Sequence, residues 1–269
     1  MIDLSTRRVQ AFRRKVWRFY AQNGRSLPFR RTTDPYRITV AEFMLQQTQV
    51  ERVIPKYKAW IKRWPTWKSL ADATPRQLLT AWSGLGYNRR ALYLGKLAGI
   101  ICERFNGKLP DDPIQLLTLP GIGAYTANAV LIFAHNRPLV TIDTNIRRVI
   151  LHEFGLPAST AKADLEEIAR RLLPRGRARD WHNALMDYSR IALPGRLTHI
   201  PPATMQSTFK GSQREIRGVI IKSLIGAGRV SLAEISRLSK RPLPDVRRAA
   251  ESLQKDGIIR MGKRFVMLA

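Results

Sequence analysis

Three features of the 269-residue sequence have residue types and spacing suited to chemistry. Glu42 is a lone acid beside Phe43, Met44 and Leu45. Burial on such an apolar helix raises a carboxyl pKa and leaves a neutral acid able to donate a proton. On the outer face of the helix the same residue is an ordinary surface glutamate. Asp143 stands directly before a helical stretch, where a carboxylate serves as an N-cap, and Thr144-Asn145-Ile146 suits that role. The run Leu119-Pro120-Gly121-Ile122-Gly123 holds two glycines one residue apart, which lets the backbone turn tightly and approach a ligand closely. The amides of such a turn and of the helix that follows suit a phosphate. An ordinary helix-to-helix connection has the same pattern.

The overall charge bears on these alternatives. Lys and Arg number 47 against 20 Asp and Glu, a formal net charge of +27. A balance so far from neutral points to a polyanionic partner, nucleic acid first. An anionic membrane surface is the rival, but the basic residues are spread along the chain and no apolar run approaches the ~20 residues of a membrane span. The N-terminus reads as a basic amphipathic helix without a secretory apolar core. Cys102 is the single cysteine, which excludes an intramolecular disulfide and a sulfur-rich metal site. The expected compartment is the cytoplasm or nucleoid.

The elements that must position these residues are helical almost throughout. Val9, Phe12, Val16, Trp17 and Tyr20 recur at helical spacing over 5–21. Further helices are expected from Asp34-Pro35-Tyr36 to about residue 48, then near 50–63, 75–82, 89–105, 112–118, 124–135, 143–153, 161–172 and 180–192, with Gly and Pro at most junctions. Leu193 to Ser207 reads as a wrap-around linker with Pro194, Pro201 and Pro202. Beyond it the order is helix (212–225), helix (capped by Ser231, through Ser239), helix (Pro244 through Lys255) and two short strands around Gly262-Lys263, the order of a winged helix. Residues 206–269 carry 14 Lys/Arg and 5 Asp/Glu, a net of +9. Such a module contacts DNA or a protein partner.

From Gly121 the chain reads GIGAYTANAVLIFAHNRPLVTIDTNIRRV. An LPGIG hairpin followed at this spacing by Thr141-Ile142-Asp143-Thr144-Asn145 resembles the helix-hairpin-helix glycosylase superfamily that includes endonuclease III, over roughly residues 10–193. The resemblance implies an all-α fold of two helical lobes with a DNA-binding cleft between them, plus a small C-terminal winged-helix-like domain. The implied divisions are a glycosylase domain over 1–205 (about 25–135 as the hairpin-bearing lobe; 1–24 and 136–205 as the other) and a winged-helix-like domain over 206–269. It implies that Asp143 is catalytic, supporting the charge that develops on the deoxyribose as a glycosidic bond breaks. Residues 42–50, EFMLQQTQV, are similar to a segment of the MutY adenine glycosylases whose Glu is the general acid, a role that falls to Glu42. By the same likeness Gln47, Thr48 and Tyr87 enter or contact the base stack around a flipped nucleotide. Gly121, Ile122, Gly123 and Arg147 would hold the DNA backbone, and Arg30, Tyr125 and Asn183 would line the base pocket. The partner is double-stranded DNA with a mismatched or damaged base, met by a monomer.

Tyr125 stands where bifunctional members carry a Lys, and a phenol forms no Schiff base, so the expected enzyme is monofunctional, with AP lyase activity absent or weak. The run Gly123-Ala124-Tyr125-Thr126 resembles the MIG-type thymine/uracil mismatch glycosylases, as does the stretch from Leu173 to Tyr188. Phe29 replaces the Trp of the usual LPWR. Residues 206–269 do not resemble the Nudix-like domain with which most MutY enzymes find 8-oxoguanine. These points favour thymine or uracil opposite guanine over adenine opposite guanine or 8-oxoguanine, with the QQTQ segment as the counterargument. Most relatives hold a [4Fe–4S] cluster on four cysteines just after residue 192, and none is present here, so no cluster is expected. Arg196 and His199 stand in that region as possible phosphate contacts, and hairpin carbonyls as ligands for a monovalent cation. A non-catalytic DNA-binding protein and a bifunctional lyase are the rival classes. Retention of both Glu42 and Asp143 speaks against the first.

Overall fold

The computed structural model describes residues 4–195, 197, 200, 201 and 208–269. The expectations at Arg196, His199 and most of the linker before Ser207 lie outside the described residues. Among the described residues eleven α-helices precede that linker: α1 Thr6–Asn23, α2 Pro35–Leu45, α3 Val50–Arg63, α4 Trp67–Ala71, α5 Pro75–Trp82, α6 Arg89–Phe105, α7 Pro113–Leu117, α8 Ala124–His135, α9 Thr144–Phe154, α10 Lys162–Leu172 and α11 Ala178–Asp187. After it come α12 Gln213–Ala227, β1 Arg229–Val230, α13 Leu232–Ser239, α14 Leu243–Lys255, β2 Ile259–Met261 and β3 Val266–Leu268. The described residues are thus predominantly helical, with one small sheet at the C-terminal end. No helix among the described residues is long and apolar enough to cross a membrane.

The chain forms two compact units. The first comprises Met1–Glu42, Asp111–Thr118 and Ile122–Met205. Its core is built by Val9, Phe12 and Val16 of α1, Ile146, Val149, Ile150 and Phe154 of α9, Leu165, Ile168 and Leu172 of α10, and Trp181 and Leu185 of α11. Phe12 meets the edges of Phe154 and Trp181 at ring separations of 5.5 and 5.9 Å, the offset geometry that aromatic quadrupoles prefer. The second unit comprises Phe43–Pro110, Leu119–Gly121 and Gln206–Ala269. Within it Trp60 packs against Trp64 and Trp82, with Leu70, Leu79, Leu94, Leu97 and Ile101 fully buried nearby in sequence order along α4, α5 and α6.

The sheet order is β1-β3-β2, all antiparallel, with Val230 opposite Val266 and Ile259 opposite Leu268. Together with α12, α13 and α14 this is the winged-helix arrangement, closed over Ile220, Leu224, Ile235, Val246 and Leu253. The short β1 went unseen in the sequence because two residues carry no alternation.

The units divide elsewhere than at the expected lobe boundaries of 24 and 135. α8 belongs to the first unit because Arg179 donates from Nε to the Phe133 carbonyl at 2.7 Å and from Nη2 to that of Ala134 at 2.8 Å, joining the end of α8 to α11. Residues 206–269 cluster with 43–110 because α12 packs on α5, and Arg76 donates to the Ile225 carbonyl near the end of α12. Two helices also end sooner than expected. α2 stops at Leu45, and Gln47 adopts φ +53°, which reverses the chain. α11 stops at Asp187 and passes into a wider π-turn over Tyr188–Ala192.

Candidate active site

Asp143 is the N-cap of α9, with extended backbone. Its Oδ1 accepts the Ile146 N–H at 2.7 Å and its Oδ2 accepts from Asn145 Nδ2 at 2.8 Å. Burial raises its pKa above the ordinary 3.8, and these donated hydrogen bonds oppose that shift. The segment leading to it is pinned from two sides. Asn128 of α8 donates to the Val140 carbonyl at 3.1 Å, and the Thr141 N–H donates to His182 Nε2 at 3.2 Å. His182 Nδ1 lies 2.7 Å from the Ala178 carbonyl, so the ring is read as neutral with its proton on Nδ1. Burial lowers its pKa, which agrees with a neutral ring. His182 is not legible as a site residue in the sequence. Its only signal was its place directly before Asn183 on an otherwise apolar helix face.

Glu42, near the end of α2, keeps part of its surface, yet its carboxyl is desolvated. Burial pushes its pKa up to about 7, and the charge of Asp143 adds to the rise. Tyr125, in the first turn of α8, is 38% exposed along its surface. Burial of its phenol, followed by the charges of Glu42 and Asp143, pushes its pKa well above the ordinary range, so the hydroxyl stays protonated. The three residues therefore share one electrostatic environment within the first unit. Two carboxyls that repel each other in such a place do not both ionise readily, and one is kept neutral near pH 7.

Asn183, 4% exposed on α11, directly follows His182. Its amide has no hydrogen-bond partner among the described residues and is not sealed from solvent. Such an amide is open to water or to a ligand. Arg30 binds a buried carboxylate. Its guanidinium grips the fully buried Asp187 with two bonds of 2.7 and 3.0 Å, and Arg25 completes the site from Nε at 2.7 Å. These cations hold the Asp187 carboxyl below the usual range against the opposing effect of burial. Arg30 thus fastens the 3₁₀ turn Pro28–Arg30 to the end of α11.

The hairpin bends as its glycines require. Gly121 takes φ +79°, and a Cβ there would come within 2.7 Å of the Phe43 ring and 3.0 Å of Tyr93 Cβ. Gly123 is the exposed N-cap of α8 with open space on its Cβ side, and the first turn of α8 carries no acid. Leu119 and Ile122 are buried and anchor the turn.

Gln47, Thr48 and Tyr87 lie in the second unit, on two loops closed by one arginine. Arg90 of α6 is 7% exposed. Its Nη1 donates to the carbonyls of Phe43 (2.7 Å), Met44 (3.2 Å) and Gln46 (2.6 Å). Its Nη2 donates to the carbonyls of Leu85 (3.2 Å) and Gly86 (3.0 Å) and to Thr48 Oγ1 (3.2 Å). Burial lowers its pKa to about 10, which leaves it charged at neutral pH. Both loops hold a non-glycine residue in the left-handed region, Gln47 at φ +53° and Tyr87 at φ +47°. Such conformations persist where surroundings over-determine them, and here these six bonds of Arg90 and a seventh, from its Nε to the Tyr87 carbonyl at 3.4 Å, do so. Tyr87 is 41% exposed and Gln47 is exposed.

Arg147 is engaged by backbone carbonyls of its own chain. Its Nη2 donates to the Ala158 carbonyl at 2.6 Å and its Nη1 to that of Pro201 at 3.0 Å, while Arg148 Nε donates to the Ile200 carbonyl at 2.9 Å. The two arginines hold the carbonyls of Ile200 and Pro201, and Leu193, Leu197 and Ile200 are buried in the core of the first unit. These apolar residues do not fit an iron–sulfur cluster, which needs thiolates. Cys102 lies on α6, in the other unit. Among the described residues no group of three His, Cys, Asp or Glu is arranged to hold a metal ion.

Comparison with known proteins gives a consistent result. A family profile described as HhH-GPD superfamily base excision DNA repair protein matches residues 40–175. The adenine DNA glycosylase of Mycolicibacterium smegmatis is 36% identical over 270 residues, covering 90% of each chain. The thymine/uracil-DNA glycosylase of Pyrobaculum aerophilum is 33% identical over 187 residues, 66% of this chain and 81% of that one. The solved structure of a thermostable thymine-DNA glycosylase superposes with a TM-score of 0.64 at 28% identity, over 70% of this chain and 89% of that chain.

Proposed function

The chain belongs to the HhH-GPD superfamily of base excision DNA repair proteins, and from that premise we propose a monofunctional DNA glycosylase that flips out a mispaired base and hydrolyses its N-glycosidic bond. The observation that carries this reading is the coupled pair of Glu42, with a pKa of about 7, and Asp143. Cleavage of the C1′–N bond builds positive charge on the deoxyribose and negative charge on the leaving base. Neutral Glu42 gives its proton to the base. Ionised Asp143 stabilises the sugar cation and accepts a proton from the water that adds to C1′. Tyr125 supplies no amine, so the sugar forms no imine and the strand stays uncut.

For the base itself we place adenine opposite guanine or 8-oxoguanine first. The support is the adenine DNA glycosylase relative that aligns over 90% of both chains. A protonating Glu42 also suits a purine leaving group. Asn183 does not discriminate: an Asn amide pairs with the N6 and N7 edge of adenine as well as with the N3–H and O4 edge of a pyrimidine. Thymine or uracil opposite guanine, the first choice from sequence, remains the second reading on the strength of Tyr125 in the run Gly123 to Thr126 and of the thymine/uracil-DNA glycosylase relative.

Gln47, Thr48 and Tyr87 would fill the gap left by the flipped base, while the amides of Gly121 to Gly123 hold a phosphate. The enzyme would act as a monomer without an iron–sulfur cluster, with the hairpin carbonyls as candidate ligands for a monovalent cation. Following release of free base from duplexes with A opposite G, A opposite 8-oxoguanine, T opposite G and U opposite G tests the proposal and ranks the substrates. Absence of release from every one of them would overturn it.

A further inference from the structure

We propose that the C-terminal winged-helix module is a second duplex-DNA grip, which holds the phosphate backbone of the same duplex that Tyr87 enters. The proposal rests on the glycosylase reading only for the role of Tyr87. The grip itself stands on the geometry of the module.

The module is fastened to the part of the chain that carries Tyr87. Arg214, in the first turn of α12, reaches the Tyr87 hydroxyl from Nη1 at 3.4 Å. Asp256, at the end of α14, pairs with Arg89, two residues beyond Tyr87, at 3.4 Å, and with Arg217 of α12. Arg76 of α5 donates to the carbonyls of Ile225 and Gly226 at the C-terminal end of α12, where a cation meets the negative end of the helix. These contacts all lie within the second compact unit. A loop that enters DNA therefore has the module directly beside it.

The surface of the module has the sign and form that DNA requires. α14 turns Val246, Ala249, Ala250 and Leu253 inward, and exposes Arg247, Arg248 and Lys255. The turn between β2 and β3 exposes Lys263, Arg264 and Phe265, and Arg229 lies over the Phe265 ring at 5.3 Å. Arg247, Lys263 and Arg264 make no ion pair among the described residues. Of the module's five acids three are engaged, Asp256 as above, Asp245 with Arg248, and Glu215 accepting the Gly211 N–H, while Glu234 and Glu251 are exposed among 14 Lys and Arg. A helix matches the width of the major groove, and a basic turn beside it suits the flanking phosphates. An acidic protein partner is the competing occupant. The nearness of Tyr87 and the +27 charge of the whole chain favour DNA.

Salt dependence of binding tests this on the full-length protein. Each phosphate contact contributes about 0.9 to the slope of log affinity against log salt. For an undamaged 30-base-pair duplex titrated at several KCl concentrations, the variant Arg247→Gln/Lys263→Gln/Arg264→Gln should lower the slope by about 2 to 3 and weaken binding at least tenfold at low salt. All three side chains are exposed, and an unchanged melting temperature will show that the variant is folded. Slope and affinity equal to wild type would overturn the proposal and leave the surface to a protein partner. A loss of the same size from Lys162→Gln/Arg170→Gln on α10, in the other unit, would make the effect one of net charge alone and would also overturn it. Wild-type protein that binds with this module-dependent slope but releases no base would refute the glycosylase reading and leave the grip standing.

Discussion

The Asp143 carboxylate accepts the backbone N–H of Ile146 at 2.7 Å, so the group assigned to the sugar cation is also the group that starts α9. The two roles separate by substitution. Asn caps a helix about as well as Asp, whereas Ala costs about 1 kcal/mol. Asp143→Asn is expected to melt within about a degree of wild type. Asp143→Ala should melt roughly 2–4 °C lower. Thermal unfolding of both variants checks this, and equal melting temperatures would show that the cap contributes nothing.

The pair Glu42 and Asp143 sets a pH profile with two limbs. Glu42 acts when protonated, so the single-turnover rate should fall as pH rises through about 7. Asp143 acts when ionised, so the rate should also fall on the acid side, at a pH above the ordinary carboxylate value of 3.8. The two limbs belong to the coupled pair. Glu42→Gln should lose most activity and abolish the alkaline limb. A leaving group that needs less protonation, such as 5-fluorouracil, should suffer less in that variant. An alkaline limb that survived the substitution would assign the proton to another group.

Arg90 joins two loops through seven hydrogen bonds, three of them to the carbonyls of Phe43, Met44 and Leu85 at buried positions. Each buried acceptor left unmade costs roughly 1–3 kcal/mol. Arg90→Met is therefore expected to destabilise the protein by at least about 3 kcal/mol, measured by denaturant titration. Arg90→Lys carries the charge without the planar fork and should recover only part of it. Full recovery by Lys would reduce the contribution of Arg90 to its charge.

His182 is neutral and buried, with a pKa held below the ordinary 6.5 by burial. A group depressed in the folded state stabilises above its unfolded pKa, and that contribution is lost as pH falls through the folded value. Stability should be level above pH 6.5 and decline on acidification below it. His182→Gln keeps an acceptor for the Thr141 N–H and does not titrate, so its melting temperature should lose this acid-side decline. A decline identical to that of wild type would mean that other groups cause it.

Tyr125 predicts the covalent chemistry. Borohydride should trap no wild-type protein on a substrate duplex, because no amine is present to form an imine. Tyr125→Lys places an amine where Glu42 and Asp143 act electrostatically, and a trapped adduct is expected from it. Efficient trapping of the wild type would identify a lyase.

Much of the site was legible in the sequence because its elements are local. The hairpin needs a positive φ at Gly121, and only a glycine sits there without strain or a clash against Phe43. Asp143 caps the helix that its own sequence begins. The long-range ties could not be read in this way. In the sequence Arg30 reads as a base-pocket residue and Arg147 as a DNA-backbone contact. In the folded chain Asp187, some 157 residues away, takes the first, and the carbonyls of Ala158 and Pro201 take the second. Arg90 and His182 were missed for the same reason: each acts on backbone atoms, and backbone atoms carry no signature in sequence. α4 was missed because five residues are too short for a periodic pattern, although Thr66 and Ser69 form a capping box at its start.

The most direct measurement is single-turnover release of free base from a duplex with adenine opposite 8-oxoguanine, run beside T opposite G and U opposite G, with wild type and Asp143→Asn at protein concentrations that saturate the DNA. The predicted result is base release without strand cleavage by wild type, fastest for adenine, and loss of at least about a thousandfold in Asp143→Asn while binding persists. Unchanged release by Asp143→Asn, or no release by wild type from any duplex it binds, would contradict the account.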